Sequence, residues 1–159
     1  MARKGSSKLR NIKVDLIYKN KMVAKLINRA MKDGKKSVVT KEVYQAFEII
    51  KEESKEDPLK IFIQALDNIR PTMEVRPRRI GGAAYQVPIS VRGPRKDSLS
   101  TRWLIKAANL RPSSEYKTFA QKLAAEILEA AKGEGGAVKK RQEIERVAEA
   151  NRAFAHFRW

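Results

Sequence analysis

The sequence predicts a mainly α protein, a bundle of six helices with one protruding two-stranded β-hairpin between helices three and four. Three observations predict it. Apolar residues recur at helical spacing in six segments. Capping residues, glycines and prolines punctuate those segments. Between the third and fourth, residues 73–91 change to period-two alternation on both sides of Gly81-Gly82. With 159 residues and 42% apolar content, the chain is long enough for one domain with a real core.

Residues 1–18 carry no helical or strand period, and their basic residues are Arg3, Lys4, Lys8, Arg10 and Lys13. This arm is expected to be disordered without a partner. It is either a solubilising tail or a segment that orders along a phosphate backbone. Residues 19–159 form the helical domain.

The first helix starts after Asn20, with Met22, Val23, Leu26, Ile27, Ala30 and Met31 on one face. Asp33-Gly34 ends it, Gly34 taking the residue just past the cap. Ser37 is expected to cap the second helix, whose stripe is Val39, Val43, Phe47 and Ile50. The connection places Lys35 and Lys36 at a helix N-terminus, where free N–H groups favour an anion. Gly34-Lys35-Lys36-Ser37 lacks the upstream glycine and preceding strand of a nucleotide-hydrolysing loop. Asp57-Pro58 caps and opens the third helix, with Leu59, Phe62, Ala65, Leu66 and Ile69 inward and Arg70-Pro71 as its stop.

In the hairpin, Met73, Val75 and Pro77 alternate with Glu74, Arg76 and Arg78; Tyr85, Val87, Ile89 and Val91 alternate with Gln86, Pro88 and Ser90. Gly81 and Gly82 supply the positive φ of a tight reversal. Each strand is expected to have one apolar face, opposed by a face carrying Arg76 and Arg78, with Arg79 at the turn and Arg92 past the second strand. Such a ribbon either enters a nucleic-acid groove or presents an ordinary solvated basic face.

Gly93-Pro94 closes the hairpin, and Asp97 or Ser98 is expected to cap the fourth helix, with Leu99, Trp103, Leu104, Ala107 and Ala108 inward. Trp103 reads as core rather than a base-stacking platform. Ser113 or Ser114 caps the fifth helix, with Tyr116, Phe119, Ala120, Leu123 and Ile127 inward; Gly133, Gly135 and Gly136 break it. The sixth helix starts near Ala137 and holds Lys139, Lys140 and Arg141 in its first turns. Cations there oppose the helix dipole; either a bound phosphate or the later acids Glu143 and Glu145 offset them. The end of the chain interleaves Arg152, Phe154, His156, Phe157, Arg158 and Trp159. It reads as a stacking platform for unpaired bases or as an apolar terminus docked on the body.

The net charge of +17 demands a polyanionic partner, nucleic acid or an anionic membrane surface. It is unevenly spread. Residues 1–36 hold twelve Lys/Arg and two Asp, residues 37–69 four Lys and seven acids, and residues 70–96 seven Lys/Arg and Glu74 alone. One side is therefore cationic and another is not. No cysteine is present, so disulfides and thiolate metal sites are excluded. No apolar run approaches the ~20 residues of a membrane span, and the start lacks a secretory segment. With one histidine and no cysteine, the sequence offers neither an acid–base pair nor a cofactor loop. No enzyme activity, cofactor or metal is expected.

Several stretches together resemble the bacterial small-subunit ribosomal protein seven family. They are Lys25-Leu26-Ile27-Asn28, Gly34-Lys35-Lys36-Ser37, Arg78-Arg79-Ile80-Gly81-Gly82, Tyr85-Gln86-Val87-Pro88, Arg102-Trp103-Leu104, Lys139-Lys140-Arg141 and the run from Ala148 to His156. The likeness extends from about residue 15 to the end. It implies a non-enzymatic primary binder of small-subunit ribosomal RNA that nucleates assembly of the head. Its ribbon would lie near the exit-site tRNA and the messenger channel, and it would contact small-subunit proteins nine and eleven. The ribosome would be cytoplasmic, an organellar one of bacterial type being the variant. By position, the RNA-contacting arm matches residues 3–13, the inter-helix loop Lys35 and Lys36, and the ribbon Arg76, Arg78, Arg79, Gly81 and Gly82. Tyr85, Arg92, Arg95, Arg102, Lys139, Lys140, Arg141, Arg152 and Arg158 complete the expected RNA contacts. Three departures stand out: Glu42 where the family is aliphatic, Asp15 without flanking prolines, and Ser100-Thr101 in place of a more apolar pair. The rival reading is a DNA-bending architectural protein using the same ribbon.

Overall fold

The computed structural model describes Gly5 and residues 11–157. The elements are α1 (Lys21–Ala30), α2 (Lys36–Ser54), α3 (Pro58–Ile69), β1 (Met73–Ile80), β2 (Ala83–Ser90), α4 (Gly93–Leu110), α5 (Phe119–Ala131), α6 (Gly135–Ala150) and a 3-10 segment, Arg152–Phe157. The six helices and the hairpin between α3 and α4 are those expected.

Helix α5 is the hub, packing on α2, α3, α4 and α6. Its Ala120, Leu123, Ala124, Ile127 and Ala130 are all buried, the alanines letting neighbours approach closely. Phe47 of α2 and Phe62 of α3 meet with ring centroids 5.5 Å apart, and Tyr18 sits edge-on to Phe47 at 4.8 Å. Removing the Phe47 ring should cost about 3–5 kcal/mol. Trp103 is core, as its stripe indicates.

Several helix ends differ from expectation, each for a local reason. α1 stops at Ala30, where Met31 turns extended and its N–H closes on Ile27 O; Asp33 and Gly34, both at positive φ, form a later turn. Lys35, not Ser37, occupies the cap of α2, and no side chain caps that end. α4 begins at Gly93 because Pro94 suits a first helical turn, which leaves Asp97 inside the helix. α5 is capped by Thr118, whose hydroxyl accepts from Gln121 N while Gln121 returns to the cap, so Tyr116 stays in the loop. α6 starts at Gly135, two residues before Ala137. At α3, the Asp57 cap and Pro58 start are as read.

The three departures find partners. Glu42 accepts from Ala120 N at 2.9 Å, a carboxylate at the N-terminus of α5. Asp15 is buried and accepts from Ile17 N, Tyr18 N and the Tyr44 hydroxyl. Burial and that bond push the Tyr44 phenol up to about 12. Buried Ser100 and Thr101 both donate to Asp97 O, at 3.1 and 2.8 Å.

The ribbon corrects a further expectation. Gly81 and Gly82, with φ of +56° and +87°, form the two-residue reversal. Ile80 then pairs with Ala83, Arg78 with Tyr85, Arg76 with Val87 and Val75 with Pro88. Residues paired directly across an antiparallel ladder share a face. Arg76 and Arg78 therefore lie beside Val87 and Tyr85, while Val75 and Pro77 lie beside Pro88 and Gln86. Neither face is purely cationic. Val87 and Pro88 are both buried, so the base is covered on both sides, and residues 81–84 at the tip are exposed.

Candidate nucleic-acid interface

The base of the ribbon meets the first turn of α4 through one buried carboxylate. Glu74 Oε1 accepts from Arg76 (Nη2 2.7 Å, Nε 2.9 Å), and Oε2 accepts from Arg95 (Nε and Nη2, both 3.1 Å). Arg78 and Arg92 join them around an open hollow of about 500 Å³. Two residues further along α4, Asp97 accepts from Arg70 at 2.9 Å and from Lys25 of α1 at 3.2 Å. Arg29, one turn after Lys25, donates to Ser98 Oγ at 3.1 Å. A second hollow of about 410 Å³ lies there, lined by Ile12, Lys25, Arg29, Pro94 and Asp97 among others.

Two basic clusters on the first turns of α4 make up a cationic band: Arg76, Arg78, Arg92 and Arg95 around Glu74, and Lys25, Arg29 and Arg70 around Asp97 and Ser98. The loop bearing exposed Lys35 and Lys36 continues from the Arg29 end of α1, and exposed Lys13 follows Ile12 in the chain. Arg102 is exposed one turn beyond Ser98 on α4. Arg79 is exposed near the tip. Gly81 and Gly82 have open space around them, so their positive φ, not crowding, requires glycine.

Other expected contacts lie elsewhere. Gly136 abuts Ala107, near the C-terminal end of α4, and twelve residues of helix separate Ala107 from Arg95, about 18 Å. Lys139 shares a hollow with Glu129 and Glu134. Lys140 pairs with Glu143 at 2.7 Å. Arg141 donates to Asn68 O at 2.7 Å, closing a carbonyl at the end of α3, and lies 3.6 Å from Glu145. The anion at the start of α6 is internal: buried Glu126 accepts from Ala137 N at 2.8 Å and pairs with Arg111 at 2.7 Å. Burial pulls the Arg111 guanidinium down, but its bonds to Glu129 and Glu126 outweigh that and leave its pKa raised. Glu143 and Glu145 thus pair with Lys140 and Arg141, while Lys139 is exposed with no ion pair among the described residues.

Tyr85 is half-buried, its ring 5.2 Å from Phe154 and 5.6 Å from Phe157, so these aromatics dock on the ribbon. Exposed Arg152 pairs with Glu149. Arg3, Lys4, Lys8, Arg10 and Arg158 lie outside the described residues. Lys25 and Arg29 join the band without having been expected there from the sequence. Their i,i+4 spacing on the polar side of α1 was the available signal. Glu74, Asp97 and Glu126 had no comparable local signal.

Among the described residues no helix is long and apolar enough to cross a membrane. The family model for ribosomal protein S7p/S5e matches residues 2–152. The small ribosomal subunit protein uS7 of Caldicellulosiruptor bescii is 55% identical over 159 residues, covering 100% of both chains. That of Thermotoga petrophila is 50% identical over 157 residues, 99% of each chain. That of Thermus thermophilus is 48% identical over 159 residues, again 100% of both. The chain belongs to the S7p/S5e family of ribosomal proteins, in its bacterial-type small-subunit uS7 branch, whose role is structural rather than enzymatic.

Proposed function

We propose that this structural constituent of the small ribosomal subunit is a primary binder of small-subunit ribosomal RNA that nucleates assembly of the head. The cationic band formed by the cluster at the ribbon base and the cluster between α1 and α4 supports this reading. Arg78, Arg92, Lys35, Lys36 and Arg102 present cations on or beside it with no ion pair among the described residues. Such a surface follows the shape of a folded RNA through its phosphates more than its base identity. Residues 1–18 are read as a basic arm that orders along the RNA, its Ile12 lining the hollow between α1 and α4 and its Lys13 exposed, and residues 19–159 as the helical domain. The exposed ribbon tip is suited to a neighbouring strand, for which exit-site tRNA and messenger RNA are the candidates. Small-subunit proteins nine and eleven are the expected protein neighbours, on a cytoplasmic ribosome.

The test is titration of labelled small-subunit ribosomal RNA at several salt concentrations, with duplex DNA as competitor. If about six to ten phosphates are neutralised, affinity falls ~10³-fold or more between 50 and 200 mM salt. Duplex DNA should compete weakly. A nearly flat salt response, or equal competition by DNA, would remove the reading.

A further inference from the structure

We infer that Glu74 is a positioning residue for RNA binding: a carboxylate set inside the cationic band that holds Arg76 and Arg95 in the geometry the phosphates meet. This rests on the ribosomal RNA reading above. An acid at the centre of a surface for a polyanion is a contradiction by charge counting alone. Its placement resolves that. Glu74 is only 7% exposed, and each of its oxygens is taken by a different arginine, one from the ribbon and one from α4. The two guanidinium groups retain about half of their side-chain exposure, 55% for Arg76 and 46% for Arg95. They are fastened on one side and open on the other. Arg78 and Arg92 line the same hollow with no carboxylate of their own among the described residues.

A long side chain fixed before binding loses less rotamer freedom when the ligand arrives. Arginine also presents its donors as a planar fork, so fixing one edge on a carboxylate aims the other. Glu74 thereby sets the spacing between a phosphate contact on the ribbon and one on α4. Thr72, two residues before Glu74, gives the junction a second fastening, its N and Oγ1 donating to Glu145 of α6 at 3.0 and 2.8 Å. That second fastening keeps the ribbon attached when Glu74 is altered.

The experiment compares wild type, Glu74→Gln and Glu74→Asp as full chains. Each is titrated into small-subunit ribosomal RNA and into a generic RNA duplex of equal length between 50 and 200 mM salt. Thermal unfolding checks that each variant is folded at the assay temperature. If Glu74 acts only through its charge, Glu74→Gln binds more tightly and Glu74→Asp is unchanged. If it positions the arginines, both variants lose about ten-fold or more in affinity for the ribosomal RNA. The duplex would be bound as before, and the salt slope for the ribosomal RNA would be shallower. Arg95→Gln, at a half-exposed side chain, guards against a folding defect. It should reproduce the loss, and combining it with Glu74→Asp should add little. Unchanged or tighter ribosomal RNA binding by the Glu74 variants, or fully additive losses, overturns the inference. A wild type that does not prefer ribosomal RNA to the duplex instead overturns the functional reading beneath it.

Discussion

Two helices of this molecule begin with a run of cations. α2 opens on Lys35 and Lys36, and α6 carries Lys139, Lys140 and Arg141 in its first turns. At α6 the chain supplies its own anion, since Glu126 reaches the Ala137 N–H while Glu143, Glu145 and Asn68 O take up Lys140 and Arg141. At α2 no side chain caps the helix, and both lysines are exposed without an ion pair among the described residues. A basic helix start is a docking point for an external anion only where no internal carboxylate reaches it.

The largest effect should come from breaking the internal arrangement. Glu126→Ala leaves Arg111 with Glu129 as its one carboxylate partner and strips the Ala137 N–H of its acceptor, a loss of about 3–5 kcal/mol read by urea unfolding. RNA affinity of the folded protein should hardly change. The Lys35→Gln, Lys36→Gln double variant should do the reverse. Stability should stay within about 0.5 kcal/mol, while ribosomal RNA affinity falls ~10-fold and the salt slope shrinks by about 1.4–1.8. Lys139→Gln with Lys140→Gln should cost less than about two-fold in the same titration, because Lys140 is paired with Glu143 and Lys139 shares its hollow with Glu129 and Glu134.

A smaller effect is expected at α5, another helix start answered from within. Glu42→Gln weakens the anion at Ala120 N and should cost about 0.5–1 kcal/mol in thermal unfolding. An effect of similar size, distinguished by its pH dependence, is expected at Tyr44. Its phenol, pushed up to about 12 from 10.0 by burial and its bond to Asp15, resists ionising in the fold. The folded pKa exceeds the unfolded one, so this contribution is complete below about pH 10 and is lost as pH rises towards 12. Tyr44→Phe should be about 1 kcal/mol less stable at neutral pH. Unfolding measured from pH 9 to 12 should show that gap closing.

Much of the fold was legible because its signals are local. The Asp57-Pro58 start, the Gly81-Gly82 reversal and the apolar stripes all lie within a few residues of what they determine. The misread helix ends were local too. Pro94 outcompeted Asp97 as a start signal, and the Thr118–Gln121 box outcompeted Ser113 and Ser114. The ribbon faces were also within reach, since a two-residue reversal at 81–82 pairs even positions with odd ones and puts Arg76 beside Val87. What lay beyond reach was long-range: Glu42 meets Ala120 across 78 residues and Lys25 meets Asp97 across 72. No spacing rule connects such partners. For this reason the basic residues were found from composition and motif, but the sorting of α6 cations from α2 cations required coordinates.

Lysine acetylation of the protein, free and bound to small-subunit ribosomal RNA and read by mass spectrometry, tests the cationic band most directly. Lys25, Lys35 and Lys36 should become several-fold less reactive on binding, while Lys139 keeps its reactivity. Protection of Lys139 equal to or greater than that of Lys35 and Lys36, or uniform protection of every lysine, would contradict a single RNA-binding face built on the ribbon base, α4 and α1.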